Sequence, residues 1–230
     1  MRNATDVQPT RFGAARDAIS RFVDDVPRPI RVALVAFSDD AVVITPPTVD
    51  RTQLQEGIAV LDTGFGTAIG AAIARGVEVA RAATGEFAGD EVEGDAPVAS
   101  AIVLLSDGAQ TRGLLSPEDG AQIARKAGTP VHTIALGTLD GVVTVNRDGE
   151  RFTVPVPPDR ETLAQIAEMT GGQTFEATDA KRLRTVYASL GSSVGRSREV
   201  REVTVAFVGL GAALLVAATG LAGLWSPRLP

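Results

Sequence analysis

The sequence predicts a doubly wound, Rossmann-like α/β fold followed by one C-terminal transmembrane helix. Short apolar runs typical of buried strands alternate with segments of helical periodicity, which favours a sheet covered by helices on both faces. The clearest run, 101–105, consists of apolar residues only and breaks off at Ser106, Asp107 and Gly108. Near the C-terminus, 203–224 carries no charged residue and has the length needed to cross a bilayer.

Composition excludes several classes of function. A net charge of −6 over 230 residues gives no electrostatic support for nucleic-acid binding. The chain contains no cysteine, which excludes disulfide frameworks, thiolate zinc sites and cysteine nucleophiles. The single histidine, His132, lies in an apolar run that predicts a strand, so we expect a core residue and not a general base. We therefore expect no enzyme activity.

The N-terminal half predicts helices around a β-hairpin. Its predicted elements are a helix at 10–24, strands at 31–37 and 41–45, and helices at 51–61 and 67–83. Apolar residues at helical spacing define the first helix, and the polar turn Ser38-Asp39-Asp40 joins two apolar runs into a hairpin. Pro46 is predicted to end the second strand, and Asp50 is predicted to cap the helix that follows.

The C-terminal half predicts alternating strands and helices. Its predicted elements are a strand at 101–105, a helix at 116–126, a strand at 131–136, a hairpin of 142–145 with 152–156, a helix at 159–169, an edge strand at 173–176 and a last helix that begins after Asp179. Gly171 and Gly172 are predicted to end the helix before the edge strand. The acidic, glycine-rich stretch 85–97 predicts a solvated loop.

Thr67 and Asp107 are the candidate metal ligands. Asp107 follows a predicted parallel strand, and ligands of open α/β sheets bind at the carboxyl ends of the strands, although a simple Asp-Gly turn is the alternative. Thr67 opens a predicted helix and supplies a hydroxyl. Carboxylate and hydroxyl oxygens suit Mg²⁺ or Mn²⁺. Because two such ligands hold a divalent ion poorly, a complete site needs further oxygens.

Two other motifs suggest catalysis, but their surroundings argue against both. Gly64, Gly66 and Gly70 resemble a dinucleotide-binding fingerprint, yet the expected acidic residue at the end of a following strand is missing. A nucleotide-dependent α/β enzyme that uses 64–70 stays open as an alternative function. The segment 191–195 has the Gly-x-Ser-x-Gly pattern of a hydrolase nucleophile, but no histidine follows it.

The pair Gly66-Thr67 before a helix, the motif 104–108 and the order of elements resemble a von Willebrand factor type A domain. In that family a metal-ion-dependent adhesion site combines an Asp-x-Ser-x-Ser loop after the first strand with a threonine and an aspartate. The resemblance implies that Thr67 and Asp107 are the second and third parts, around a Mg²⁺ or Mn²⁺ whose coordination a partner's acidic side chain completes. A narrower resemblance to bacterial membrane-anchored Bat-type proteins of aerotolerance operons is carried by 4–11, 35–38, 155–161 and the C-terminal apolar segment.

The chain departs from the family pattern near its N-terminus. No Asp-x-Ser-x-Ser follows Met1, and no apolar strand precedes the helix at 10–24. The resemblance therefore implies a truncated domain that lacks the first, central strand of its sheet. We expect a gap between the strands at 31–37 and 101–105, marginal stability, and weak metal binding or none.

These observations together predict a membrane-anchored protein-interaction module, with a metal-independent membrane scaffold as a further alternative. The predicted parts are an interaction domain at 1–195, a basic juxtamembrane linker at 196–202, a transmembrane helix at 203–225 that contacts the lipid bilayer, and a short tail at 226–230. The resemblance implies a protein partner and a functional link to MoxR-type AAA+ ATPases and other Bat-type proteins. Basic residues precede the span, which favours a single-pass protein of the cell membrane with its domain in the cytoplasm.

Overall fold

The computed structural model describes residues 6–7, 10–64, 66–84, 100–147 and 150–196. The chain separates into two compact units, 1–192 and 193–230, and the packing described below is that of the first. None of the described helices is both long and apolar enough to cross a membrane. The predicted transmembrane helix at 203–225, the tail and all but the first residue of the predicted linker lie outside the described residues.

The described residues form six helices and seven strands in the predicted order. The helices are α1 (Arg11–Asp25), α2 (Arg51–Ala59), α3 (Ile69–Thr84), α4 (Pro117–Lys126), α5 (Arg160–Thr170) and α6 (Ala180–Arg196). The strands are β1 (Val32–Phe37), β2 (Ala41–Thr48), β3 (Ile102–Ser106), β4 (Val131–Leu136), β5 (Val142–Arg147), β6 (Glu150–Pro155) and β7 (Thr174–Ala177). The predicted cap at Asp50 is confirmed, because its Oδ1 accepts a hydrogen bond from Thr52 N at 2.9 Å.

Several predicted boundaries are shifted in the structure, and two of these shifts have a clear physical cause. β2 does not end at Pro46 but continues to Thr48, because its pairing with β1 shifts register around the prolines and β2 is an edge strand, where a missing N–H is tolerated. α3 begins at Ile69 and not at Thr67. The backbone oxygen of Thr67 accepts from Thr111 N at 3.0 Å, so this residue belongs to a loop contact and not to the helix.

The strands form one parallel sheet of three strands and two antiparallel hairpins. The parallel sheet has the order β3–β4–β7, with Ser106 opposite Ala135 and Leu136 opposite Ala177. β1 pairs with β2, and β5 pairs with β6, as the sequence predicts. The edge position predicted for the strand at 173–176 is confirmed by β7.

Helices cover both faces of the strand layer. The apolar cluster around α3 contains, from the strands, Val35, Phe37, Ile102, Leu104, Val131 and Ala135. The clusters around α1 contain, from the same strands, Val32, Leu34, Val103, Leu105, Ile134 and Leu136. Because successive residues of a strand point to opposite faces, α1 and α3 lie on opposite sides of the layer. The α/β layering that the sequence predicts is therefore confirmed.

Among the described residues, the strand layer is interrupted between β1 and β3. Both strands pack against α1 and α3, yet they belong to separate sheets, and no ladder joins them in the part of the chain that the structure describes. Every residue of the apolar strand β1 is only half-buried, whereas β4, which has a partner on each edge, is buried at all positions but one. The structure thus shows no pairing of β1 with β3 within the ranges that it describes.

Candidate functional site

Loops from different parts of the chain meet beyond the carboxyl ends of β1 and β3. One precedes α3 and contains Thr67, and another follows β3 and contains Asp107. Thr111 N donates to the backbone oxygen of Thr67 at 3.0 Å, and Thr67 N donates to Thr111 Oγ1 at 3.1 Å. The two candidate ligands thus lie on loops that are hydrogen-bonded directly to each other.

Glycines allow these loops to approach closely. Gly66 has a φ of +88°, and a side chain at this position would collide with the side chain of Arg112. A Cβ atom on Gly64 would collide with Ser38 in the turn after β1. The turn after β1 is therefore the third member of one surface. We call it the loop surface and define it as residues 38–40, 64, 66–68 and 107–114.

Asp107 lies beside a buried arginine. Its side chain is 18% exposed, and its Oδ2 lies 3.6 Å from Nη1 of Arg11. The same Nη1 donates to the backbone oxygen of Asp107 at 2.9 Å. Arg11 is the first residue of α1, and its side chain is completely buried. Arg11 therefore contacts both the backbone and the carboxylate at the end of β3.

Asp6 balances the charge of Arg11. Nε and Nη2 of Arg11 donate to the two carboxylate oxygens of Asp6 at 2.8 and 2.7 Å. Asp6 Oδ2 also accepts from the backbone nitrogen of Thr138 at 2.7 Å. Burial raises the pKa of Asp6, but the hydrogen bonds from Arg11 and Thr138 and the charge of Arg11 outweigh it, and the pKa falls to about 2. The pair is therefore ionised at neutral pH.

Two glycines form the wall against which the guanidinium lies. A Cβ atom on Gly137 or Gly141 would collide with Arg11, and Gly137 has a φ of +123°. Nη1 of Arg11 also donates to the backbone oxygen of Val156 at 3.0 Å. Arg11 thus joins the start of α1 to the segments that follow β3, β4 and β6.

Arg11 and Asp6 are site residues that no local sequence pattern identifies. They are five residues apart, but the further partners of Arg11 at Asp107 and Val156 lie 96 and 145 residues away along the chain. Pairings over such separations leave no spacing that a local pattern reveals. The sequence shows only an arginine directly after Thr10, at the start of a predicted helix. The amphipathic pattern of that helix does not indicate that the arginine is buried.

The described residues do not fit a resident divalent ion. Thr67 and Asp107 supply two oxygen ligands, and no group of three or more His, Cys, Asp or Glu side chains among the described residues is placed to hold a metal. The charge of Asp107 already faces Arg11. A divalent ion bound to Asp107 would lie close to the Arg11 guanidinium, which would repel it. Thr67 and Asp107 stay a prediction as metal ligands.

The glycines of 64–70 are explained by packing within the chain. Gly70 N donates to Gln110 Oε1 at 3.0 Å, so this amide is already bonded, as is that of Thr67. A Cβ atom on Gly70 would collide with the backbone oxygens of Leu115 and Ser116. A phosphate-binding loop needs free amides at the start of its helix. This arrangement favours an interaction surface over a nucleotide site.

The other features considered for catalysis lie in regular secondary structure. His132 lies in β4, where its Nδ1 accepts from Gln173 N at 3.2 Å, and burial lowers its pKa. The segment 191–195 lies within α6 and not on the strand-to-helix turn that a hydrolase nucleophile requires. Neither feature has the arrangement of a catalytic base or nucleophile.

Sequence comparison relates the chain to one domain family and one bacterial protein family. A family model described as the von Willebrand factor type A domain matches residues 1–110. A UPF0353 protein of Mycobacterium marinum is 34% identical over 233 residues, which cover 99% of this chain and 67% of that protein.

Solved structures from bacteria and from a mussel have a similar fold. The conserved hypothetical protein BatB from Bacteroides thetaiotaomicron is 22% identical with a TM-score of 0.63, covering 84% of this chain and 91% of that one. An aerotolerance-related membrane protein from Bacteroides fragilis is 22% identical with a TM-score of 0.64, covering 84% and 92%. Proximal thread matrix protein 1 from the mussel byssus, with a zinc-occupied MIDAS motif (metal-ion-dependent adhesion site), is 18% identical with a TM-score of 0.56, covering 84% and 43%.

Proposed function

This chain belongs to the von Willebrand factor type A domain proteins of the UPF0353 family, and we propose that it is a membrane-anchored protein-interaction module without catalytic activity. The observation that carries the proposal is the loop surface. A main-chain hydrogen bond from Thr111 to Thr67 and a bond from Thr67 N to the Thr111 hydroxyl tie its loops together, and Arg11 anchors it at Asp107. A surface ordered in advance loses little conformational entropy when a partner binds.

Arg112 and Leu114 indicate the chemistry of the partner. Both side chains are exposed, and that of Leu114 is fully exposed, with a fraction of 110%. An arginine near an exposed apolar side chain suits a protein surface that presents an acidic group beside an apolar one. An acidic partner group is also what the family resemblance implies. MoxR-type AAA+ ATPases and other Bat-type proteins are the candidate partners for a first test.

We propose that the interaction module does not rely on a divalent ion. The zinc-occupied motif of the mussel protein supports metal chemistry at a complete site of this kind. The family resemblance assigns Thr67 and Asp107 to such a site, and Arg11 already faces Asp107. We expect Mg²⁺ or Mn²⁺ to bind weakly or not at all, so that partner binding does not depend on the ion.

The membrane anchor of the proposal is the apolar segment 203–225. It lacks charged residues and follows a basic stretch, and the Bacteroides fragilis structure of similar fold is described as a membrane protein. Membranes from cells that express the full chain should retain it after carbonate washing, and a chain that stops at 202 should be released. Protease added to intact cells should leave the domain uncut if it lies in the cytoplasm, as the charge rule favours.

Site-specific photocrosslinking tests whether the loop surface binds a partner. A photoreactive amino acid at Leu114 should crosslink a MoxR-type ATPase or another Bat-type protein of the same organism in native membranes. Val49 is the matched control, because it is also an exposed apolar residue but lies away from the loop surface. It directly follows Thr48, which pairs with Val32 at the start of β1, whereas the loop surface lies beyond the other end of that strand. Crosslinking from Leu114 should be lost in Asp107→Ala and should be absent from Val49.

Two results would support the alternative functions instead. A metal-independent scaffold that does not use the loop surface predicts that Asp107→Ala leaves partner crosslinking unchanged. A nucleotide-dependent enzyme that uses 64–70 predicts that NAD(P) raises the unfolding temperature of the full chain, and that Gly70→Ala removes this increase. The proposed interaction module predicts no such increase, because the amides of Thr67 and Gly70 are already bonded.

A further inference from the structure

We infer that Arg11 is a positioning residue whose guanidinium acts as a built-in counter-cation for Asp107 and holds the loop surface in place without a divalent ion. The proposed function supplies the surface on which this inference rests. The test of this inference measures cation binding, whereas the test of the proposed function measures partner binding. A failure of the inference can therefore be distinguished from a failure of the proposed function.

The geometry shows how Arg11 acts on Asp107. Its Nη1 lies 3.6 Å from Asp107 Oδ2 and donates at 2.9 Å to the backbone oxygen of the same residue. These two contacts restrain the carboxylate and the backbone together. The remaining donors of Arg11 bond to Asp6 at 2.8 and 2.7 Å, so the guanidinium itself has little freedom to turn away.

The burial of Arg11 limits the screening of its charge at Asp107. The side chain has no solvent exposure, and Gly137 and Gly141 close over it. Charges excluded from water are weakly screened, so the attraction between Arg11 and Asp107 is stronger than in a surface pair. A divalent ion bound to Asp107 would lie close to the guanidinium and would be repelled by it.

The consequence is an exchange between two cations at one carboxylate. While Arg11 is present, Asp107 attracts Mg²⁺ or Mn²⁺ weakly. When the arginine charge is removed, Asp107 loses the positive charge beside it, and a divalent ion can take that place. If Arg11 had a role in packing alone, its removal would not make the stability of the domain depend on divalent ions. Nor would any such dependence require the carboxylate of Asp107.

The experiment compares unfolding temperatures of the full chain in MgCl₂ or MnCl₂ with those in NaCl of equal ionic strength. The parent chain should show no difference. Arg11→Met should unfold at a lower temperature and regain about 3 °C or more in the divalent salt. The double variant Arg11→Met with Asp107→Asn should lose this gain, whereas Arg11→Met with Asp6→Asn should keep it. Arg11→Lys, which retains the charge, should behave like the parent in its response to divalent salt.

Three results would overturn the inference. One is a divalent-ion gain in the parent chain that Asp107→Asn abolishes, because Asp107 would then be free to bind metal with Arg11 in place. Another is a gain in Arg11→Met that depends on Asp6 and not on Asp107. The third is a gain of the same size in Arg11→Lys. If Arg11→Met does not fold, the parent chain and Arg11→Lys still test the inference. Neither protein should gain stability in divalent salt, and a gain that requires Asp107 in either of them would contradict it.

Discussion

Replacing Asp6 with asparagine is the most direct perturbation of the charged network behind the loop surface. Asp6→Asn keeps the size of the side chain but removes the negative charge opposite a completely buried Arg11. Arg11 and the backbone nitrogen of Thr138 both donate to the present carboxylate. An amide has one acceptor oxygen, so its NH₂ group must face one of these donors.

The magnitude follows from the burial of the pair. Removing one partner of a buried ion pair typically costs about 3 to 5 kcal/mol, because the other charge is left uncompensated. Asp107 lies 3.6 Å from Arg11 and compensates part of that charge. We therefore expect Asp6→Asn to lower the free energy of unfolding by about 2 to 4 kcal/mol at neutral pH. For a domain of this size, the unfolding temperature should fall by about 5 to 15 °C.

The lowered pKa of Asp6 gives this effect a pH dependence of definite sign. The pKa in the folded chain is about 2 and the ordinary value is 3.8, so the stabilisation is complete above that ordinary value and is lost as pH falls towards the folded pKa. Allowing for solvent screening, the loss amounts to about 1 to 2 kcal/mol. The asparagine variant lacks this group. The difference in unfolding free energy between the two proteins should therefore shrink between about pH 4 and pH 2.

Urea unfolding of the full chain, followed by far-UV circular dichroism from neutral to acid pH, measures both quantities. Asp17→Asn is the matched control, because Asp17 is an exposed aspartate of the same helix α1. It should change the free energy of unfolding by less than about 0.5 kcal/mol. The reasoning is refuted if Asp6→Asn is as stable as Asp17→Asn at neutral pH, or if the parent and Asp6→Asn curves stay parallel below about pH 4.

Two further predictions concern helix packing and the interrupted strand layer. Gly70→Ala should lower the free energy of unfolding by about 1 to 3 kcal/mol, because its Cβ would collide with backbone oxygens. Gly108→Ala is the control, because no atom lies within 4 Å of a Cβ at that position, and it should change the stability little in the same thermal unfolding assay. Amides of β4 should exchange with solvent about tenfold more slowly than those of β1, because β4 is paired on both edges. Equal exchange rates, measured residue by residue, would contradict the interruption.

The helices and strands are predictable from the sequence because each is encoded locally. Asp50 and Asp159 precede helices and cap them as their side-chain chemistry suggests. Gly171 ends α5 as predicted, with a φ of +73°, a left-handed conformation that favours glycine at a helix end. The prolines of β2 are the exception, because whether a strand tolerates proline depends on its place in the sheet, which no local pattern records.

The site is only partly predictable, for a related reason. The resemblance to the family places Thr67 and Asp107 in one site, on loops that are hydrogen-bonded to each other. It says nothing about the charges beneath those loops. Arg11 reads in the sequence as an ordinary residue of an amphipathic helix, and it becomes a site residue only because β3, β4 and β6 end around the start of α1.

The interruption of the strand layer gives the start of α1 an additional structural role. Since no ladder joins β1 to β3 among the described residues, the two parts are held together by α1 and α3, which pack across both. Both helices begin at the loop surface, α1 with Arg11 and α3 with the amide of Gly70 bonded to Gln110. The contacts that order the loop surface are therefore also the contacts that fix the ends of the two bridging helices. A partner that binds this surface would tighten the strand layer as well, and the stability of the domain and its affinity for the partner would rise together.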